Sequence, residues 1–155
     1  MRLTTRTNLA VRVLMFCAVN QGRIVRTPEI AERCNASVNH LFQVVNLLQE
    51  LGFIQTLRGR AGGVRLARTA EQISIGTVFR EFEAGTPFAE CFDEATNTCP
   101  LHETCRLRGY IQRALEAFYH ELDLITLDDL VRGNCGLAGL LNLAPRLTET
   151  CLSDR

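Results

Sequence analysis

The sequence predicts a mainly α fold with a small β-hairpin wing: a winged helix-turn-helix head followed by a long dimerisation helix. Three observations carry this prediction. Three helix signatures open the chain, the last two separated by a short turn. The hydrophobic period then switches to two on either side of a Gly-rich, Arg-bearing tip. Further on, a helical stripe running from about Cys105 to Leu122 is longer than a small head can cover.

Each element has a local cause. Helical periodicity runs from about Asn8 to Asn20, with Leu9, Val13, Phe16 and Cys17 on one face and Gly22 as its end. At Thr27-Pro28-Glu29 a second helix starts, with Thr as N-cap, Pro at the first position and Glu at the positive helix end; it runs to about Cys34. Asn35-Ala36 turns the chain, Ser37 caps a third helix from Val38 to about Leu51, and Gly52 closes it. The segments FIQTLR and GVRLAR alternate as short strands around Gly59-Arg60-Ala61-Gly62-Gly63. A phosphate-cradling reading of that tip is the weaker one, because it lacks both the Walker spacing and a helix behind it. Ser74 caps a helix through about Glu83, and Gly85, Pro87 and Pro100 break the polar stretch that follows.

The helix from about Cys105 to Leu122 spans about 27 Å at 1.5 Å per residue. Its stripe is Leu107, Tyr110, Ile111, Ala114, Phe118 and Leu122, much of it predicted to meet a second copy of the chain. Thr126 caps a last short helix with Asp128 and Asp129 in its first turn. The predicted organisation is a DNA-binding head over 1–83, a cysteine loop over 84–104, the dimerisation helix and short helix over 105–132, and a flexible tail over 133–155.

A formal net charge of zero hides a division. Residues 1–68 carry ten Arg against three Glu, a balance of +7, and residues 69–155 carry seven Arg against fourteen acids, a balance of −7; there is no Lys. A basic N-terminal half suits a polyanion, since each phosphate contact releases counterions. Segregation for solubility alone is the plainer alternative, and the placement of the charges favours nucleic acid. No run approaches the roughly 18 apolar residues of a membrane span. Arg6 and Arg12 interrupt the apolar N-terminal stretch, which reads as an amphipathic helix of a cytoplasmic protein rather than a signal peptide.

On the third helix Asn39, His40, Gln43 and Asn46 lie on or near one face, behind the cap Ser37. Asn and Gln can bond adenine edges in bidentate fashion, and a capped helix N-terminus can approach phosphate. The plain alternative is a solvated amide face; the basic surroundings favour double-stranded DNA. Arg58 and Arg60 on the wing suit a minor groove or backbone, with Arg58 the stronger candidate for groove-width readout, while Arg65 and Arg68 are expected at phosphate or in solvent.

Cys91, Cys99 and Cys105 are spaced C-x7-C-x5-C in the stretch AECFDEATNTCPLHETCRL. Structural zinc sites favour tighter C-x2–4-C knuckles. Wide gaps suit a larger object such as an iron–sulfur cluster; zinc, with His102 as fourth ligand, is the alternative. Seven cysteines, an odd number, argue against a disulfide framework. Cys17 reads as a small core hydrophobe, and Cys34, Cys135 and Cys151 as incidental. No catalytic set stands out: Glu81, Glu83, Asp128 and Asp129 are expected in first turns or on solvated faces, His120 on an exposed one, and the chain does not read as an enzyme.

Three stretches together resemble the bacterial family of dimeric winged-helix iron–sulfur regulators that includes NsrR, IscR and RirA. They are MRLTTRTNLAVR, LRGRAGGVRLAR, and the cysteine loop running into CRLRGYIQRALEAFYHELDLITLDDLV; the resemblance covers about residues 1–143. It implies a homodimeric repressor of operator DNA holding an iron–sulfur cluster, 4Fe-4S, on Cys91, Cys99 and Cys105, with one subunit's loop near the partner's head. In the nitric-oxide-sensing branch the fourth ligand is an aspartate supplied by the partner; here that position is Asn8, a poor iron donor, so Asn8, water, Asp93 and Glu94 all stand open. Arg108, where the IscR branch has histidine, argues against that branch. Asn8 and the C-x7-C gap are similar to the iron-responsive RirA type. Asn39-His40-Leu41 and the helix after Cys105 are more similar to the NsrR type, which is preferred. The expected function is nitric-oxide-sensing repression, with an iron-responsive repressor and a zinc-stabilised DNA-binding module as alternatives. A small electron-transfer protein is disfavoured by the basic helix-turn-helix.

Overall fold

A computed structural model describes residues 3–59 and 62–143. Among these residues the order is α1 (Thr5–Val19), α2 (Thr27–Arg33), α3 (Val38–Glu50), β1 (Ile54–Leu57), β2 (Gly63–Leu66), α4 (Ile75–Glu83), α5 (Arg106–Asp123), α6 (Leu127–Val131) and α7 (Cys135–Leu141). This is the mainly α architecture with a hairpin wing that the sequence predicts. No described helix is long and apolar enough to cross a membrane.

The core forms around α1, which packs on α3, α4, α6 and α7. Leu9, Val13, Leu14 and Phe16 of α1 are buried with Leu41, Val44 and Leu48 of α3 and with Val78 and Phe82 of α4. Because α1 is covered on several sides, apolar periodicity locates its start too late. The helix begins at Thr5 behind Thr4, whose hydroxyl accepts the Thr7 N–H at 3.2 Å. In α2 the cap also moves by one. Arg26 is extended and donates its N–H to Glu29 Oε2 at 2.7 Å, so Thr27 is the first helical residue and is buried.

The end of α3 is closed by Gly52 at φ +71°, with Gly52 N–H bonded to Gln49 O and Phe53 N–H to Leu48 O, each at 2.9 Å. Strands β1 and β2 are antiparallel, with Ile54 opposite Leu66 and Leu57 opposite Gly63. Val25 joins them through a reciprocal pair with Val64 (2.9 and 2.7 Å), which fastens the wing to the linker before α2.

No residue of α5 is buried, because the helix has two apolar faces rather than one stripe. Phe118 meets Phe79 of α4 with ring centroids 6.3 Å apart, Leu122 packs on the core, and Arg80 binds Asp123 at 2.5 Å and lies over Tyr119. The opposite side leaves Leu107 and Tyr110 63% and 61% exposed, with Ala114, Ala117 and Leu124 also open.

Gly76 lets α4 approach the end of α5. A Cβ there would sit 2.1 Å from Asp123 Oδ1 and 2.6 Å from its backbone N. Gly76→Ala would gain about 1 kcal/mol of helix propensity and lose about 3 kcal/mol to overpacking. The expected net is a destabilisation of about 2 kcal/mol, or a Tm about 4–8 °C lower, read by thermal denaturation.

The expected flexible tail over 133–155 requires correction in its first part. Asn134 caps α7, Leu141 is buried, and Asn20 donates to Leu141 O (3.0 Å) while accepting the Leu143 N–H (3.0 Å). Three glycines in or next to α7 mask it in the sequence; docking on α1 supplies what propensity lacks. Residues 144–155, with Cys151, lie outside the described residues.

Candidate nucleic-acid interface and cysteine loop

Helix α3 turns Leu41, Val44, Val45 and Leu48 to the core, which leaves the rest of its circumference open. Ser37 holds its start by accepting the His40 N–H at 3.4 Å. Asn39, His40, Gln43 and Asn46 are all exposed on the face the sequence assigns them to. The Thr56 hydroxyl donates to Gln49 Oε1, tying β1 to the C-terminal half of α3 and fixing the wing beside it. Arg58 follows β1, is exposed, and makes no hydrogen bond or ion pair among the described residues. Arg60 lies outside the described residues.

Two further arginines are spoken for. Arg65 donates twice to Gln55 Oε1 across the hairpin (3.2 and 3.0 Å), and Arg68 lies over the Phe53 ring and donates to Leu51 O at 3.4 Å. Both stay exposed to solvent, as the sequence leads one to expect, while these bonds tie them to the wing and leave Arg58 as its free cation among the described residues.

Between α4 and α5 the loop is shaped by carboxylates accepting from its own backbone and hydroxyls. Glu90 accepts the Thr98 N–H and hydroxyl, each at 2.6 Å, and these bonds hold its carboxyl below the usual range. Asp93 accepts from the Thr96 hydroxyl (2.7 Å) and Ala95 N–H (3.1 Å) and is lowered likewise, so its oxygens serve the turn. Asn97 accepts the Cys99 N–H (3.1 Å), and Arg108 of α5 donates to Cys91 O (2.9 Å) while covering Phe92. Cys91 sits in a short 3-10 turn, Cys99 between two turns, and Cys105 at the N-cap of α5.

All three thiols are free and half-buried, whereas Cys135 is disulfide-bonded. Nε2 of His102 is shielded from water without a partner, while Nδ1 faces Glu103 Oε1 at 3.3 Å. Among the described residues, no three His, Cys, Asp or Glu side chains converge on a single metal ion. The donor chemistry is nonetheless that of a thiophilic group: three free thiols and an unpartnered imidazole nitrogen on one 15-residue segment, 91–105. Asn8 stands apart from this loop, exposed on α1, where it shares a shallow groove with Asn35, Ala36, Ser37 and His40.

The residue that joins loop to head is Glu83. Glu83 is expected in a first turn or on a solvated face; it ends α4, half-buried, one residue before the loop. Its Oε1 accepts the Thr4 N–H (2.9 Å), the Thr4 hydroxyl (3.0 Å) and the hydroxyl of fully buried Thr7. Helix α1 in turn reaches the helix-turn-helix through Arg12, which donates to Cys34 O at 3.0 Å. The only hint in the sequence is a pair of threonines ahead of a helix, which propensity explains as a cap. Glu83→Ala strands these donors, and a loss of about 2 kcal/mol is expected, with faster amide exchange over residues 4–8. Chemical denaturation and hydrogen exchange read the two effects.

A family model described as Rrf2, an iron-dependent transcriptional regulator, matches residues 3–133. Protein aau3 of Rhizobium meliloti (strain 1021) is 42% identical over 143 residues, covering 92% of this chain and 93% of that protein. The HTH-type transcriptional repressor NsrR of Streptomyces coelicolor is 39% identical over 148 residues, covering 94% and 98%. Among solved structures, the oxidised form of Staphylococcus aureus CymR superposes with a TM-score of 0.67 at 27% identity, covering 85% of this chain and 97% of that one.

Proposed function

The chain belongs to the Rrf2 family of iron-dependent transcriptional regulators, and from that premise we propose a homodimeric repressor whose cysteine loop, carrying an iron–sulfur cluster, senses nitric oxide. One observation carries the reading. Three free thiols occupy the segment that joins α4, whose last residue grips the head, to α5, whose outer face is apolar and uncovered. Cys91, Cys99 and Cys105 would hold the cluster, 4Fe-4S in this reading, with Asn8 of the partner subunit or water at the fourth position. The cluster would supply iron that nitric oxide attacks and that iron starvation withdraws.

The protein's own part is mechanical. With its three cysteines engaged, the loop would hold the end of α4 in place. Glu83 would then brace Thr4 and Thr7, and Arg12 the turn before α3. Release of the thiolates would free the loop and relax that brace, an order–disorder switch.

On the outer face of α5, Leu107, Tyr110, Ala114, Ala117 and Leu124 recur at spacings of three and four, or seven, as a helix-to-helix seam requires. Pairing two such faces would set two α3 helices in successive major grooves of a palindromic operator, with each Arg58 toward a flanking minor groove.

The test is an anaerobic gel shift of the protein on its own upstream DNA, with nitric oxide in one series and an iron chelator in the other. Release at a few nitric oxide molecules per cluster, with little response to chelator, is expected. Release by chelator with binding that survives low nitric oxide would make this an iron-responsive repressor. A colourless protein with stoichiometric zinc would make it a zinc-stabilised DNA-binding module.

A further inference from the structure

Phe42 is 51% exposed on α3, one position off the core stripe. At 100° per residue its side chain falls beside those of Asn39 (three before) and Asn46 (four after), with Gln43 next round the same open side beyond them. A single exposed apolar residue is ordinary. An aromatic ring beside two exposed amides, with a third further round the open side of a helix-turn-helix, is a more particular arrangement. With Asn46, Gln49, Thr56 and Arg58 it lines the cleft between α3 and the wing.

Any duplex seated on α3 would meet the ring together with the amides. On the floor of the major groove the apolar group is the 5-methyl of thymine, and the adenine edge is the one that Asn and Gln match in bidentate fashion. An A·T pair presents both. Resting on the reading of α3 as the helix that enters the operator, we propose that Phe42 is a specificity-determining residue that packs on a thymine 5-methyl group in each half-site, next to an adenine read by Asn39 or Gln43.

The test uses the full-length protein and a preferred duplex selected from random sequence. Each thymine of that duplex is replaced in turn by deoxyuridine, which lacks only the methyl group. At one position per half-site the wild type is expected to lose affinity about fourfold, and about fifteenfold with both half-sites replaced; fourfold corresponds to about 0.8 kcal/mol, one buried methyl group. Because Phe42 is exposed, Phe42→Ala should keep its fold and bind both duplexes equally, yet still lose affinity when the neighbouring adenine is changed. Phe42→Leu should keep most of the discrimination. Wild-type protein that tolerates deoxyuridine throughout the site, or Phe42→Ala protein that still discriminates, overturns the inference while leaving the regulator reading intact. A protein that selects no sequence at all overturns both.

Discussion

Alanine at Cys91, Cys99 or Cys105 is expected to give a folded protein that purifies with less than about a tenth of the wild-type iron and sulfide and no longer changes operator affinity on exposure to nitric oxide. All three side chains are half-buried in a polar loop and none belongs to the core, so each substitution should cost less than about 1 kcal/mol of stability. Retention of the fold and loss of the bound metal should therefore separate cleanly. Cys17 is the internal control. Burial, with Cys34 nearby, pushes its thiol up to about 12, which keeps it protonated and a poor ligand at neutral pH. Cys17→Ala should leave iron content unchanged. Iron, sulfide and circular dichroism, measured together, decide the point; a Cys99→Ala protein with full iron content and normal release would remove that residue from the ligand set.

The second large effect concerns α5. Replacing both Leu107 and Tyr110 with Arg puts two like charges into each copy of the proposed seam, four in the pair, at positions that are more than 60% exposed in the single chain. The inner face of α5, with Phe118 on Phe79 and Leu122 on the core, is untouched, so the isolated subunit should keep its fold. Light scattering should show a monomer where the wild type is a dimer. Operator affinity should fall about 100-fold or more, because two half-sites would no longer be engaged by one tethered molecule. A variant that stays dimeric would place the subunit contact elsewhere.

Where the fold is set by local chemistry, it could be read from the sequence. Ser37, Ser74 and Thr126 cap the helices they were assigned, Gly52 closes α3, and the strands lie where the period changes. What escaped was set by distant partners. Helix α7 is held by Asn20, more than 100 residues away, and its glycines disguise it. The apolar residues of α5 read as one stripe because periodicity counts them without saying which neighbour each will meet.

The candidate site divides in the same way. Ser37, Asn39, His40 and Gln43 share a helix end, so spacing alone brings them together on one exposed face. Glu83 acquires its partners only when the start of α1 crosses the end of α4. Phe42 is not legible as a surface residue, because an apolar letter in a helix suggests a core position and only burial distinguishes the two.

Any coupling that the bonds between Glu83 and Thr4 and Thr7 would carry from loop to head must also run from head to loop. If cluster binding favours operator binding through this brace, operator binding must favour the cluster by the same factor. Repressor sitting on its operator would then surrender its cluster more reluctantly than repressor free in solution. A coupling of the usual size, about 1–3 kcal/mol, would hold that difference to between about 5-fold and 150-fold. Promoters with tighter operators would, on this arithmetic, need a larger dose of signal to open, giving one protein a graded set of thresholds.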